Sequence, residues 1–237
     1  MKNIFAKIRE KIASPMLRRS LVQRLRLDAI HSNRPLNISR AELRLLLMAP
    51  AFLRDDEIIA LGKYAGFANS AIVEIGAAFG ASSLVFMLNK NSEASLYSID
   101  PFVKDSMASF QASEELCRRG VSKALADLHA ENPLSKWQII PDYSYNVSPS
   151  WQTQIDVIFI DGDHLYDAVK KDLEDWLPFV KYNGYILIHD SAKKKGTPEE
   201  TYNSGWPGPT KLAEELKQDR RLRYIDTINS LTIWQKI

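Results

Sequence analysis

A single cysteine, Cys117, stands in the 237 residues, so no internal disulfide can form and nothing calls for an oxidising compartment. A reducing cytoplasm is the expected setting. Long apolar runs are also missing. The longest, Leu45 to Leu53, is nine residues with Pro50 inside it and Arg44 and Arg54 at its edges, far short of the roughly 20 that span a bilayer. Residues 1–15 interleave Lys7, Arg9, Glu10 and Lys11 with their apolar positions, which leaves no continuous signal-peptide core. No internal repeat or low-complexity tract is present, and no G-x-G-x-x-G occurs anywhere in the chain. That last absence argues against a dinucleotide site.

What is present suits one sizeable globular domain plus an extension: 45% of the residues are hydrophobic and 25% charged. The net charge of +2 hides an asymmetry. Residues 1–44 hold 11 Lys or Arg against three acids, leaving 20 bases against 26 acids in the remainder. A basic helical extension over 1–50 and a domain over 51–237 are therefore expected. In the extension, Ile4, Phe5, Ile8 and Ile12 recur at helical spacing up to Pro15, and Leu17, Leu21 and Leu25 suit a second helix. Ser39 and Glu42 have capping-box spacing before Leu43, and another helix is expected from Asp55 to about Tyr64.

From residue 71 the pattern becomes strand-helix alternation. Strands are expected at 71–76, 95–99, 136–140, 155–160 and 184–189, with helices near 81–89, 106–130 and 164–181. Short buried strands alternating with helices call for a parallel sheet covered on both faces. A helix near 208–219 follows, then two runs, 222–228 and 231–236, joined by Asn229 and Ser230 as a hairpin.

The strongest local signal is Val73-Glu74-Ile75-Gly76-Ala77-Ala78-Phe79-Gly80, between an expected strand and an expected helix. Small residues there let the backbone approach a ligand, and the helix start offers unpaired N–H groups. The next strand ends at Asp100, 24 residues after Gly76, near the separation of about 20 at which a Rossmann-type acid grips a ribose diol. Glu74 would crowd a pyrophosphate but suits the cationic end of S-adenosylmethionine.

These segments, with Ile155-Asp156-Val157-Ile158-Phe159-Ile160-Asp161-Gly162-Asp163-His164 and Gly184-Tyr185-Ile186-Leu187-Ile188-His189-Asp190, resemble small class I S-adenosylmethionine-dependent methyltransferases related to macrolide-sugar and catechol O-methyltransferases. The resemblance covers roughly residues 57–237. It implies an α/β, Rossmann-like, doubly wound sheet of seven strands with a C-terminal antiparallel hairpin behind N-terminal helices. It also implies cofactor binding by Glu74, Gly76, Gly80, Ser82, Asp100 and Asp161, with Asp142 or Ser144 near the adenine. For Ser82 and Ser83 a capping role alone is the competing reading.

Asp161, Asp163 and His164 follow the fourth strand and His189 and Asp190 end the fifth, so the topology should set them across one crevice. His164, three residues after Asp161, suits a general base, with Asp161 beside it at the reaction end. The competing reading makes His164 a helix-start cap. The resemblance also implies a divalent cation held by Asp161 and Asp190. His189 then falls where relatives place a further oxygen ligand, which leaves magnesium, manganese and no metal all open. Tyr202 to Gly208 suit a lid or acceptor loop, while Lys193-Lys194-Lys195 either recruit an anionic acceptor or are a solvated charge run.

The expected reaction is methyl transfer to a hydroxyl of a small molecule or glycan sugar. A nucleotide- or NAD-linked enzyme and a non-catalytic scaffold are the alternatives, and the charge cluster at the two strand ends argues against the scaffold. Nucleic acid is not an expected partner: residues 45–237 are net acidic, and no Asn/Asp-Pro-Pro-aromatic motif follows the fourth strand. Two readings are open for the basic N-terminal segment. It packs on the domain or on a second subunit, or it lies peripherally at the inner face of an anionic membrane.

Overall fold

The computed structural model describes residues 15–31, 37–103, 111–129, 134–192 and 206–237. The expected helix over residues 4–12 and the Lys193–Gly205 loop lie outside them.

Three helices precede the sheet: α1 (Pro15–His31), α2 (Arg40–Leu47) and α3 (Asp55–Ala65). Ser39 and Glu42 form the expected reciprocal cap on α2, Ser39 accepting from the Glu42 N–H while the Glu42 carboxylate accepts from the Ser39 N–H at 2.8 Å. There follow β1 (Ala71–Ile75), α4 (Ala81–Asn89), β2 (Ser95–Ile99), α5 (Glu114–Leu128), β3 (Trp137–Ile140) and α6 (Ser144–Val147). The chain ends with β4 (Ile155–Ile160), α7 (Tyr166–Trp176), β5 (Val180–Ile188), α8 (Pro207–Leu216), β6 (Leu222–Ile228) and β7 (Leu231–Lys236). The helix expected over 164–181 stops at Trp176, because Pro178 cannot continue it and the chain tightens into a 3-10 turn over 177–179. The freed residues start β5 four positions earlier than expected.

The seven strands lie in the order β3-β2-β1-β4-β5-β7-β6, parallel except for β7, which runs antiparallel to both β5 and β6. Strand order reverses between β1 and β4, the switch point where the carboxyl ends of an open α/β sheet leave a crevice. One apolar layer joins α1 to α5 with one face of the sheet, and a second joins α7 and α8 with the other. Every residue of β1 is buried, as a strand covered on both faces requires.

Leu21, Val22 and Leu25 of α1 and Leu43, Leu46 and Leu47 of α2 belong to the first layer, so the described part of the N-terminal segment shares the domain's core. Leu17, expected on the same stripe, is 58% exposed. Among the described residues no helix is long and apolar enough to cross a membrane.

Candidate active site

The turn after β1 is built on Gly76, whose φ of +92° favours glycine and whose missing Cβ would sit 2.1 Å from the Asp161 carbonyl oxygen. Any side chain there would push the ends of β1 and β4 apart. Gly80, at φ +83°, leads into α4 with no side-chain cap. Ser82 and Ser83 therefore do not cap this helix. Ser82 lines the cleft, while Ser83 turns inward and donates to Glu74 at 2.6 Å.

Glu74 is wholly buried beneath the turn rather than in the cleft wall. Its Oε2 accepts the hydroxyls of Ser83 and Ser98, and Ser98 in turn accepts from the Trp137 indole at 3.0 Å. Burial drives the Glu74 carboxyl up to about 7 against the opposing pull of these hydroxyls. Asp100 braces the turn from β2: its Oδ2 accepts the N–H groups of Ala77 and Ala78 at 2.9 and 2.8 Å, and Oδ1 accepts that of Phe102 at 2.7 Å. A carboxylate has about four acceptor positions, so one is left for a ligand hydroxyl.

A cleft of about 1420 Å³ opens over this turn and the end of β4. It exceeds the roughly 300–1,000 Å³ of ordinary ligand pockets and has room for a cofactor and an acceptor together. Ser144 lines it, but Asp142 does not: it is exposed, and its Oδ1 accepts from the Tyr143 N–H and the Asn146 amide. Of the two residues expected near the adenine, the structure brings only Ser144 to the cleft.

At the other end, Asp161 and His164 line the cleft. Asp163 lines it too, exposed, and accepts the Leu165 N–H at 2.8 Å where α7 begins. His164 Nε2 lies 3.3 Å from Asp190 Oδ2, and its ring packs on Trp206 with centroids 4.6 Å apart. The Trp206 N–H donates to the Asp190 carbonyl at 2.9 Å, and the missing Cβ of Gly208 would fall 2.2 Å from the His164 carbonyl oxygen. The entry to α8 thus holds the His164 loop in place.

His189 requires a correction to its expected role as a metal ligand. Nδ1 lies 3.0 Å from Asp161 Oδ1 and Nε2 lies 3.2 Å from Glu57 Oε2, so both ring nitrogens are committed to carboxylates. Burial would lower its pKa, but Asp161, Glu57 and Asp190 together raise it well above the usual imidazole value. The two carboxylates on its ring nitrogens favour the protonated ring. In its place His164 joins Asp161 and Asp190 in a set whose ligand atoms all lie within 4.8 Å of one another. Ser191 is turned away from this set, bonded to Thr232 and to the Ile188 carbonyl.

Glu57 was not singled out from the sequence. It sits on α3, 132 residues from His189, and also accepts the N–H of Arg54 and the N–H and hydroxyl of Ser230. Burial alone would raise its carboxyl, but His189 brings it below the usual value. No local pattern distinguishes it from the solvated acids Asp55 and Asp56 beside it. Asp172 was missed likewise: it lies on α7 with its side chain in the cleft wall, accepting the Ser144 hydroxyl.

The strand order and the glycine turn with its carboxyl-end cleft define a class I S-adenosylmethionine-dependent methyltransferase fold. A family model described as "Methyltransferase domain" matches residues 73–191, and the chain belongs to that family. A curated relative, uncharacterized protein R132 of Acanthamoeba polyphaga mimivirus, is 32% identical over 132 residues, 54% of each chain. The chain thus spans about half the length of that relative. An O-methyltransferase from Bacillus cereus, solved with S-adenosylhomocysteine, is similar at a TM-score of 0.53 and 15% identity, over 92% of this chain and 91% of that one. A Clostridium thermocellum protein provisionally assigned as an rRNA methylase is similar at 0.52 and 14%, over 79% and 100%. Likeness at these identities is one of fold.

Proposed function

We propose that the protein methylates a hydroxyl of a small acceptor, a sugar or phenol, with His164 as the general base. The observation that carries this reading is the His164–Asp190 pair at the cleft, 3.3 Å apart and fixed by Trp206. With Nε2–H donated to Asp190, Nδ1 is left as the proton acceptor, the orientation a base needs. When bound, S-adenosylmethionine supplies an electrophilic methyl on its sulfonium. His164 takes the proton of the acceptor hydroxyl as the oxygen–methyl bond forms and the sulfur–methyl bond breaks. The electron pair of the broken bond stays on sulfur so that S-adenosylhomocysteine leaves, and Asp190 stabilises the resulting imidazolium. The walls of the cleft position the two reactants and exclude water.

The acidic balance of residues 45–237 supports a small acceptor over RNA, and the exposed Leu165 and Phe52 at the cleft give it an apolar rim suited to a ring. One observation favours a second reading of the same end: Asp161, His164 and Asp190 offer a convergent set of two oxygens and one nitrogen. A divalent cation held there would lower the pKa of the acceptor hydroxyl, and the nitrogen donor fits manganese better than magnesium.

The test is S-adenosylhomocysteine release with sugar, phenolic and RNA acceptors, with and without chelator. His164→Ala should cut turnover by about 10²–10⁴-fold while leaving S-adenosylhomocysteine binding intact. Turnover that survives both His164→Ala and Asp161→Ala would refute the assigned reaction end. Loss on chelation with recovery on manganese would select the second reading.

A further inference from the structure

We propose that Glu57 on α3 is a positioning residue for the reaction end: acting through His189 and Ser230, it fixes the directions of the Asp161 and Asp190 carboxylates. This inference rests on the assignment of those two acids, with His164, to the reaction end. Glu57 is buried behind the cleft wall and does not line it, so any effect it has on the chemistry passes through other residues.

The Glu57 carboxylate is met by donors on both oxygens. Oε2 accepts the Arg54 N–H at 2.8 Å and lies 3.2 Å from His189 Nε2, while Oε1 accepts the N–H and the hydroxyl of Ser230 at 3.1 and 2.8 Å. One route runs through His189 to Asp161. With Nε2 held by Glu57, Nδ1 is aimed at Asp161 Oδ1, 3.0 Å away, so the ring is pinned at both ends and fixes the rotation of that carboxylate.

The other route runs through Ser230 to Asp190. The Ser230 carbonyl accepts the N–H groups of Ser191 and Ala192 at 2.8 and 3.1 Å, directly after Asp190. Asp190 has a φ of +49°, which few residues other than glycine adopt. Such a backbone persists where its surroundings fix it. Ser230 supplies that hold on one side, and the Trp206 N–H, bonded to the Asp190 carbonyl at 2.9 Å, supplies it on the other. Glu57 and Ser230 both lie outside residues 73–191 matched by the methyltransferase family model. The segments flanking that region therefore complete the reaction end. A carboxylate is required at position 57, because an amide must turn a donor nitrogen toward either His189 and Arg54 or Ser230.

The test compares crystal structures and kinetics of the full-chain wild type, Glu57→Gln and Ser230→Ala. In Glu57→Gln the His189–Asp161 or His164–Asp190 contact should open beyond hydrogen-bond range, past about 3.5 Å. With the sugar or phenolic acceptor that turns over, kcat should fall by about 10–100-fold, the usual cost of losing a group that orients a site residue. KM and S-adenosylhomocysteine affinity should stay within about three-fold, since only the reacting geometry is disturbed. Ser230→Ala, which frees Oε1 alone, should shift both measures in the same direction by less, and it carries the test if Glu57→Gln does not fold. Asp161 and Asp190 superimposing on their wild-type positions in the folded variants would overturn the inference. An unchanged kcat with only a lowered melting temperature would overturn it as well, leaving Glu57 a structural acid. Absence of turnover by the wild type with every acceptor would count against the reaction-end reading itself, while the crystallographic comparison would still decide whether Glu57 positions the two carboxylates.

Discussion

Glu74 and Glu57 are two acids buried to the same degree, 0% and 1% exposed; burial pushes both carboxyls up, yet their net shifts are opposite. At the glycine-turn end, Glu74 is met by hydroxyl dipoles, which solvate one oxygen without supplying positive charge, so its carboxyl rises to about 7. At the reaction end, Glu57 is met by the His189 imidazolium and falls below the usual value despite the same loss of water. A dipole lowers the cost of a buried charge, while a counter-charge can reverse it. Glu74 thus answers burial by holding its proton more tightly, and Glu57 by pairing with a counter-charge.

The largest expected effect is removal of the counter-charge. His189→Ala leaves Glu57 and Asp161 facing each other's end of an empty slot, and breaking a buried ion pair on one side costs about 3–5 kcal/mol. Thermal unfolding at pH 6 should show this loss. A loss below about 1 kcal/mol would mean that the pair is as weak as an exposed one, and the contrast between the two ends would collapse.

Next comes the pH dependence, where the two ends predict different limbs. Glu74 has a folded pKa of about 7, above the unfolded carboxyl value of about 4.3. The folded state holds a proton that the unfolded state releases, so Glu74 erodes stability as pH climbs from about 4.3 to 7, by an amount on the order of 3 kcal/mol. Glu74→Gln should flatten the melting temperature across that window. His189 has a raised folded pKa, so its stabilisation is full below about 6.5 and lost as pH rises through the folded value. His189→Gln should flatten the alkaline limb and leave the Glu74 window in place. Superimposable profiles for the two variants would show that one group controls both limbs.

This contrast also separates what the sequence discloses from what it hides. The glycine turn, Asp100 and the ends of β4 and β5 are adjacent in sequence or at strand spacing, so periodicity and turn chemistry locate them without tertiary information. The hairpin was legible in the same way, since Asn229 takes the positive φ of 54° that its turn demands. Glu57 and Asp172 were not legible: each is an acid on an amphipathic helix, where a charge ordinarily faces water, and only packing turns them inward. The role of His189 was misjudged for the same reason. Its place at the end of β5 is local, whereas the direction of both ring nitrogens is set by Glu57 from a distant helix.

The smallest expected effect lies outside both ends, on α1. Three of its four arginines are engaged: Arg18 pairs with Asp127 and donates to the Leu46 carbonyl at 3.1 Å, Arg24 pairs with Glu42, and Arg26 donates to the Asp127 carbonyl at 2.8 Å. Leu21, Val22 and Leu25 beneath them are buried. This supports packing over membrane attachment for residues 15–26, because a guanidinium bonded to a carboxylate on its own domain is withdrawn from lipid phosphates. Arg18 and Asp127 keep 15% and 28% side-chain exposure, so Arg18→Ala should cost only about 1 kcal/mol, the range of a partly screened pair plus one hydrogen bond. Chemical unfolding at moderate salt would measure it. If the helix instead served an anionic bilayer, the full chain would float with phosphatidylglycerol vesicles at low salt, and Arg18→Ala would weaken flotation without lowering stability. That pair of results would break the packing reading, whereas lost stability with no flotation would sharpen it.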